Sequence, residues 1–310
     1  MKQLRSASLT APAVFFSFAM FLAVPAATFA QIFVAIPGSG EFDGTIKNYA
    51  PDGSSTTLVT GISIPEGLAF WGSDLYVASN TNHGAAATIL KIAPNGSSTV
   101  FSSSTGSPST MGLVFDSAGN LYSAGNTSIM KYSAGGDGTP VTFATPSDQP
   151  YGLAIDSAGN LYAAMRNNNT IASFDSTGTL RWSVSLGSGH APVGLAVGDA
   201  GVFVASHTTS SIDLYSFVDG SSLGNFATAA DGLDGPFGLA FSGGQLFVAN
   251  DGGATGSIEI FTAAHTGTSF ATSGFPSFLT ASAIPEPSTY AVVAGLGMLG
   301  FAVWRRRQAA

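Results

Sequence analysis

Between residues 31 and 283 the chain alternates short apolar runs with polar clusters containing Gly, Asn and Asp, and the alternation repeats. The phrase PEGLAF at Pro65 returns as STMGLVF, QPYGLAI, APVGLAV and GPFGLAF, placing glycines at 67, 112, 152, 194 and 238, 40 to 45 residues apart. After each comes a polar turn and a second apolar run: SDLYVAS, GNLYSAG, GNLYAAM, AGVFVAS and GQLFVAN. A third run carries Ile three residues before an aromatic or aliphatic side chain, in the pairs Ile89/Ile92, Ile129/Tyr132, Ile171/Phe174, Ile212/Tyr215 and Ile258/Phe261. A Gly-containing turn such as PNG or DSTG then leads to a fourth run such as STVFSS or PVTFAT. Four short strands in every 40 to 45 residues predict the blades of a β-propeller.

The ends of the repeat region define its closure. The region opens partway through a unit, with IFVAIPG as a second strand, TIKNYAPDG as a third and STTLVTG as a fourth. The missing first strand lies at the other end, in FPSFLTA at Phe275, where Phe278 takes the place of the marker glycine. Five whole blades and one shared by both ends predict a closed six-bladed ring of four-stranded blades, which buries the strand edges that an open sheet would expose. The ring occupies residues 31–283 and leaves no room for a second domain.

Composition agrees. Only 9% of the 310 residues are charged, against about 25% in an ordinary soluble domain. The usual exposed helix formers are scarce, so the class is all-β. Between Gln31 and Ile284, 17 acidic residues face five basic ones, a net charge of −12, which repels phosphate backbones and makes nucleic acid an unsuitable partner. The absence of cysteine excludes disulfides, thiol nucleophiles and Cys-ligated metals.

The two ends read as addresses. Lys2 and Arg5 precede the apolar run LTAPAVFFSFAMFLAV and the small-residue stretch PAATFA, the layout of a secretory signal peptide over residues 1–30, with cleavage after Ala30 and export through the Sec translocon. Residues 284–310 begin with Pro285, Glu286 and Pro287, continue with fifteen uncharged residues from Tyr290 to Trp304, and end on Arg305, Arg306 and Arg307 before three last residues. As a helix, 290–304 is about 22 Å long, enough to span a locally thinned bilayer with the arginines stopping on the cytoplasmic side. This tail resembles the PEP-CTERM sorting signal of Gram-negative bacteria. That resemblance implies recognition of the Pro-Glu-Pro tripeptide by an exosortase, a membrane transpeptidase, transient residence in the inner membrane, and delivery to the cell surface or the extracellular matrix of a biofilm.

The phrase YGLAIDSAGNLYAA, with the following IASFD and Thr-Gly, resembles an NHL repeat, and the wider likeness is to six-bladed propellers of the NHL, gluconolactonase and strictosidine-synthase type. It supports the fold more than any activity. In such a ring the loops before the first strands and after the second strands share one face, which here would carry Glu66, Asn80, Asn126, Tyr151, Arg166 and Asp251 as a ligand-binding face. Lactonases of this fold resemble the chain at Glu66-Gly67, where they hold a metal with Glu and with Asn and Asp from other blades. Here Arg166 and His207 stand at positions equivalent to Asn80 and Asp251, opposing a divalent cation.

His83, His190, His207 and His265 lack chelating spacing and read as loop residues; Asp116 and Asp156, in two copies of DSAGN, read as turn residues rather than calcium ligands. Catalytic motifs are absent, so no catalytic residue, metal or cofactor is expected. The expectation is an exported non-enzymatic protein of the surface or exopolysaccharide matrix, whose propeller binds a glycan or protein; the alternative is a metal-dependent lactonase.

Overall fold

The computed structural model describes residues 31–40, 42–81, 87–103, 109–136, 138–252, 256–262 and 267–282. The expected leader 1–30, the tripeptide Pro285, Glu286 and Pro287, the span 290–304, Arg305 to Arg307, His83 and His265 lie outside these residues.

Among the described residues, twenty-four strands form six four-stranded antiparallel sheets, and the one helical element is a 3-10 turn at Ala229–Asp231. Five sheets are simple meanders, termed here blades 1 to 5, spanning 65–102, 113–144, 150–185, 192–227 and 236–272. The sixth is assembled from both ends of the ring, in the order Leu279–Ala281, Ile32–Ile36, Gly44–Tyr49 and Ser55–Ile62. Its register pairs Val34 with Leu279, Phe33 with Thr280 and Ile32 with Ala281. Each innermost strand packs on that of the next blade, and Leu279–Ala281 packs on both Pro236–Ser242 and Pro65–Trp71, so the ring closes. The six-bladed propeller and its shared blade are as the repeat predicts.

The third-strand pairs explain how neighbouring blades adhere. Residues three apart in a strand point to opposite faces, so both faces of every sheet carry an apolar anchor. Ile89 packs toward blade 2 with Leu113 and Leu121, whereas Ile92 packs toward the closing blade with Phe33 and Ile46. The six isoleucines, Ile46 included, are each 1% exposed or less. Burying one such side chain contributes about 1.5–3 kcal/mol, so this repeated pair accounts for much of the adhesion between blades.

The marker glycines answer a different demand. A Cβ on Gly67, Gly112, Gly152, Gly194 or Gly238 would run into the carbonyl oxygen of Met111, Tyr151, Val193, Phe237 or Ser277 respectively, each in the innermost strand of the next blade or the segment leading into it. Glycine is required by close approach around the channel, not by backbone handedness. At the rim, the outermost strands carry almost no charge, yet every pairing of third with fourth strand contains a bulge or register shift. Such irregularities twist an exposed edge away from partners and take the place of the lysines that usually blunt it.

A chain ending at Gly274 should lose the inner strand of the closing blade and bare the edge of Ile32–Ile36. Against a chain ending at Ser282, the loss of Phe278 and Leu279 burial costs about 5 kcal/mol and lowers Tm by roughly 10–20 °C. Thermal melting and size-exclusion chromatography check this, and equal Tm with equal monomer content would refute closure by this strand.

Candidate functional site

The face formed by the loops before first strands and after second strands is shaped by bulges. In four blades the first and second strands skip register across the marker glycine and the residue before it, between Pro65 and Leu68, Pro150 and Leu153, Pro192 and Leu195, and Pro236 and Leu239. A bulge re-aims its side chains. Tyr151, Val193 and Phe237 thus leave the pleat and meet Phe278 in one apolar cluster at this end of the channel. Phe237 lies edge-on to Phe278 at 5.3 Å and to Tyr151 at 6.2 Å. Beyond this plug runs a channel of ≈ 280 Å³, lined by one leucine from each blade, Leu68, Leu113, Leu153, Leu195, Leu239 and Leu279.

Charged groups sit on the plug. The Arg166 guanidinium stands 5.4 Å from the centre of the Tyr151 ring and donates a long hydrogen bond of 3.4 Å to its hydroxyl. Glu66 has one carboxylate oxygen, Oε2, enclosed by the fold without a hydrogen-bond partner. Burial pushes its pKa up from the ordinary 4.5 to about 7, against the opposing pull of the Arg166 charge. Burial, followed by the Glu66 charge, also raises the Tyr151 hydroxyl. His207 stands edge-on to Phe237 at 5.9 Å, with its Nε2 3.9 Å from Asp251 Oδ2.

The structure therefore brings Glu66, Tyr151 and Arg166 together and joins Asp251 to them through His207 and Phe237. Asn80 is employed elsewhere: it is buried, its amide nitrogen donates to the Thr110 carbonyl at 2.9 Å, and its oxygen accepts from the Thr110 N–H at 2.8 Å, latching blade 1 to the segment that leads into blade 2. Asn250 is a second latch, accepting from Asp234 N–H and donating to Gly232 O. Asn126 lines a separate pocket of ≈ 400 Å³ with Thr127, Thr145, Ser147, Asp148, Gln149 and Asn167. Asp148 Oδ2 in that wall is enclosed and has no hydrogen-bond partner. Among the described residues no group of three or more His, Asp or Glu side chains could hold a metal ion.

Three features escaped the sequence reading. Phe278 forms part of the plug, Asp148 marks the polar pocket, and His190 is drawn onto a buried carboxylate. Its Nδ1 lies 3.3 Å from Asp213 Oδ2, which also accepts from Ser206 Oγ at 2.6 Å, while Ser211 and Asn225 donate to Oδ1. This is not a nucleophile's arrangement, because Ser206 gives its proton to the carboxylate rather than to the imidazole. The one available signal was Asp213 itself, a charge immediately after the buried Ile212. Asp116 and Asp156 are turn residues. One oxygen of each accepts two backbone N–H groups and the other accepts Asn and Tyr donors, so although burial acts to raise them, the hydrogen bonds hold both below the usual carboxylate range.

Residues 283–307 match the PEP-CTERM protein-sorting motif. The tail is a sorting signal. It implies an exported chain, held in the membrane as a precursor and processed by an exosortase. No helix of the described residues is long and apolar enough to cross a membrane, and the segment assigned to that task lies outside them. The propeller is similar to a nidogen/laminin complex structure, with TM-score 0.66 and 17% identity over 81% of this chain and 97% of that one. It is also similar to virginiamycin B lyase from Staphylococcus aureus, with TM-score 0.57 and 14% identity over 77% and 84%. A gluconolactonase from Xanthomonas campestris gives TM-score 0.57 and 16% identity over 79% and 89%. At such identities the likeness is one of fold. No curated protein sequence matches the chain.

Glu66 makes stability depend on pH. Its raised pKa means that between about pH 4.5 and 7 the folded chain keeps a proton that the unfolded chain has lost, so this group's contribution to stability falls as pH rises through that window and is level above it. Glu66→Gln should remove a loss on the order of 3 kcal/mol at pH 8 while leaving stability at pH 4 nearly unchanged. Denaturant melts of both chains at the two pH values test this; equal differences at both would show that Glu66 ionises normally.

Proposed function

We propose that the exported propeller is a non-enzymatic protein of the cell surface or exopolysaccharide matrix, and that it binds a neutral glycan through the polar pocket beside Asn126. The observation that carries the reading is Asp148, whose Oδ2 lacks a donor in a pocket lined, apart from Pro146, by amide and hydroxyl side chains. A carboxylate flanked by Asn and Gln side chains suits the vicinal hydroxyls of a sugar, which both donate and accept. Rotation about its soft terminal torsion turns that oxygen toward an incoming hydroxyl. The net charge of −12 between Gln31 and Ile284 favours a neutral chain over an anionic one. Export by way of the sorting motif delivers the protein to where such polymers lie.

The alternative is a metal-dependent lactonase, supported by the fold it shares with the gluconolactonase structure and by the unpartnered Oε2 of Glu66. Against it stand the Arg166 charge acting on Glu66 and the engagement of both Asn80 amide atoms with Thr110. A divalent ion needs several converging oxygens free to ligate.

Glycan screening by calorimetry with neutral matrix oligosaccharides tests the proposal. Asp148→Asn should weaken binding about tenfold, the loss of one charge-assisted hydrogen bond. Unchanged affinity in that variant, or chelator-sensitive lactone hydrolysis by the native chain, would overturn the reading. Replacing Pro285, Glu286 and Pro287 by Ala should leave the apolar span 290–304 and its arginines intact yet cause the full-length precursor to accumulate in the inner membrane, as judged by intact mass of membrane and released fractions.

A further inference from the structure

On the face opposite the candidate site, the closing blade, blade 1 and the first turn of blade 2 enclose an apolar groove of ≈ 830 Å³. Phe33, Leu58, Phe70, Trp71, Pro94 and Phe115 supply its apolar walls. Trp71 stacks on Phe115 at 5.5 Å and remains 42% exposed, and Phe33 and Phe70 meet edge to face at 4.8 Å. Both ends of the ring lie in the same wall: Gln31 and Ser282 line the groove and are joined by the hydrogen bond from Ser282 N–H to Gln31 O at 3.0 Å. The chain therefore leaves the propeller at the groove itself.

The residues that follow are Ala-Ile-Pro-Glu-Pro-Ser-Thr, 283 to 289. Pro285 is three residues from Ser282, within about 10 Å along an extended chain. A Pro-x-Pro segment favours the polyproline II conformation, and aromatic-lined grooves take such segments because little conformational entropy is lost on docking. With three residues per turn, Ile284 and Pro287 fall on one side of that helix and Glu286 on another. The apolar side matches the groove, and the carboxylate is left to water on an acidic protein.

We propose that residues 283–289 dock in this groove in cis, holding the sorting tripeptide against the propeller until the processing enzyme competes for it. A tether of this length gives an effective concentration in the millimolar range, so an intrinsic affinity of only ~0.1 mM keeps the groove about nine-tenths occupied. Docking itself is independent of the glycan reading and of catalysis by the sorting enzyme; the gating consequence rests on the sorting signal.

The absence of native cysteine makes the test direct. Ser117 lines the groove and is exposed, and Ser176 is exposed in a turn of blade 3 on the same face. The full chain in detergent micelles, carrying Ser117→Cys or Ser176→Cys, is alkylated with a charged thiol reagent. The Ser117→Cys thiol should react roughly tenfold more slowly than in the same chain bearing Ile284→Asp and Pro287→Asp, while Ser176→Cys reacts alike in both. The tail substitutions leave the propeller untouched, so misfolding does not confuse the result. Equal rates at Ser117→Cys with and without the tail substitutions would overturn the proposal. Protection of both thiols whatever the tail would assign the cover to the micelle, and protection that grows with protein concentration would assign it to a second copy; either result overturns docking in cis.

Discussion

The three-residue ladder between Leu279–Ala281 and Ile32–Ile36 is the contact on which the rest of the molecule depends. Each blade buries its faces only against two neighbours, so a ring with one unsealed seam would expose two apolar sheet faces at once. Closing the seam with strands from opposite ends of the ring converts a chain of local hairpins into a single cooperative body. Phe278 and Leu279 add to that seam a side chain of the plug and a leucine of the channel wall. The same strand thus completes both the fold and the candidate face.

Close packing around the channel follows from closure. Six innermost strands converging on one axis leave no space for side chains where neighbours touch, hence the five marker glycines. The register shifts at four of them turn the preceding residue out of the pleat, and Tyr151, Val193 and Phe237 then gather on Phe278 at the channel mouth. Glu66 comes from the loop before the first strand of blade 1 on the same face, and its burial there lifts its pKa against the Arg166 charge.

The two faces differ in chemistry. One carries the ionisable cluster and the polar pocket at Asn126 and Asp148; the other carries both ends of the ring and the apolar groove. The sorting motif follows Ser282, so it continues from the face that carries the groove.

The repeat was legible in the sequence because its causes are local. Strand alternation, turn glycines, the Ile-x-x-aromatic pair and the Asp of DSAGN act within a few residues, and the split unit at the two ends exposed the closure. The sorting signal was legible too, since it is read as a linear peptide. The candidate face was legible only in outline. Glu66, Tyr151 and Arg166 converge as their loop positions suggested, but Asn80, chemically equal to Asn126, is consumed by the Thr110 backbone, and nothing in its neighbours along the chain indicates this. Asp148 and the His190–Asp213 pair arise where loops or strands of different hairpins meet. Sequence period decides which residues point inward or lie at a loop; which polar atoms then find partners depends on distances between separate hairpins and blades, and only the assembled ring determines those.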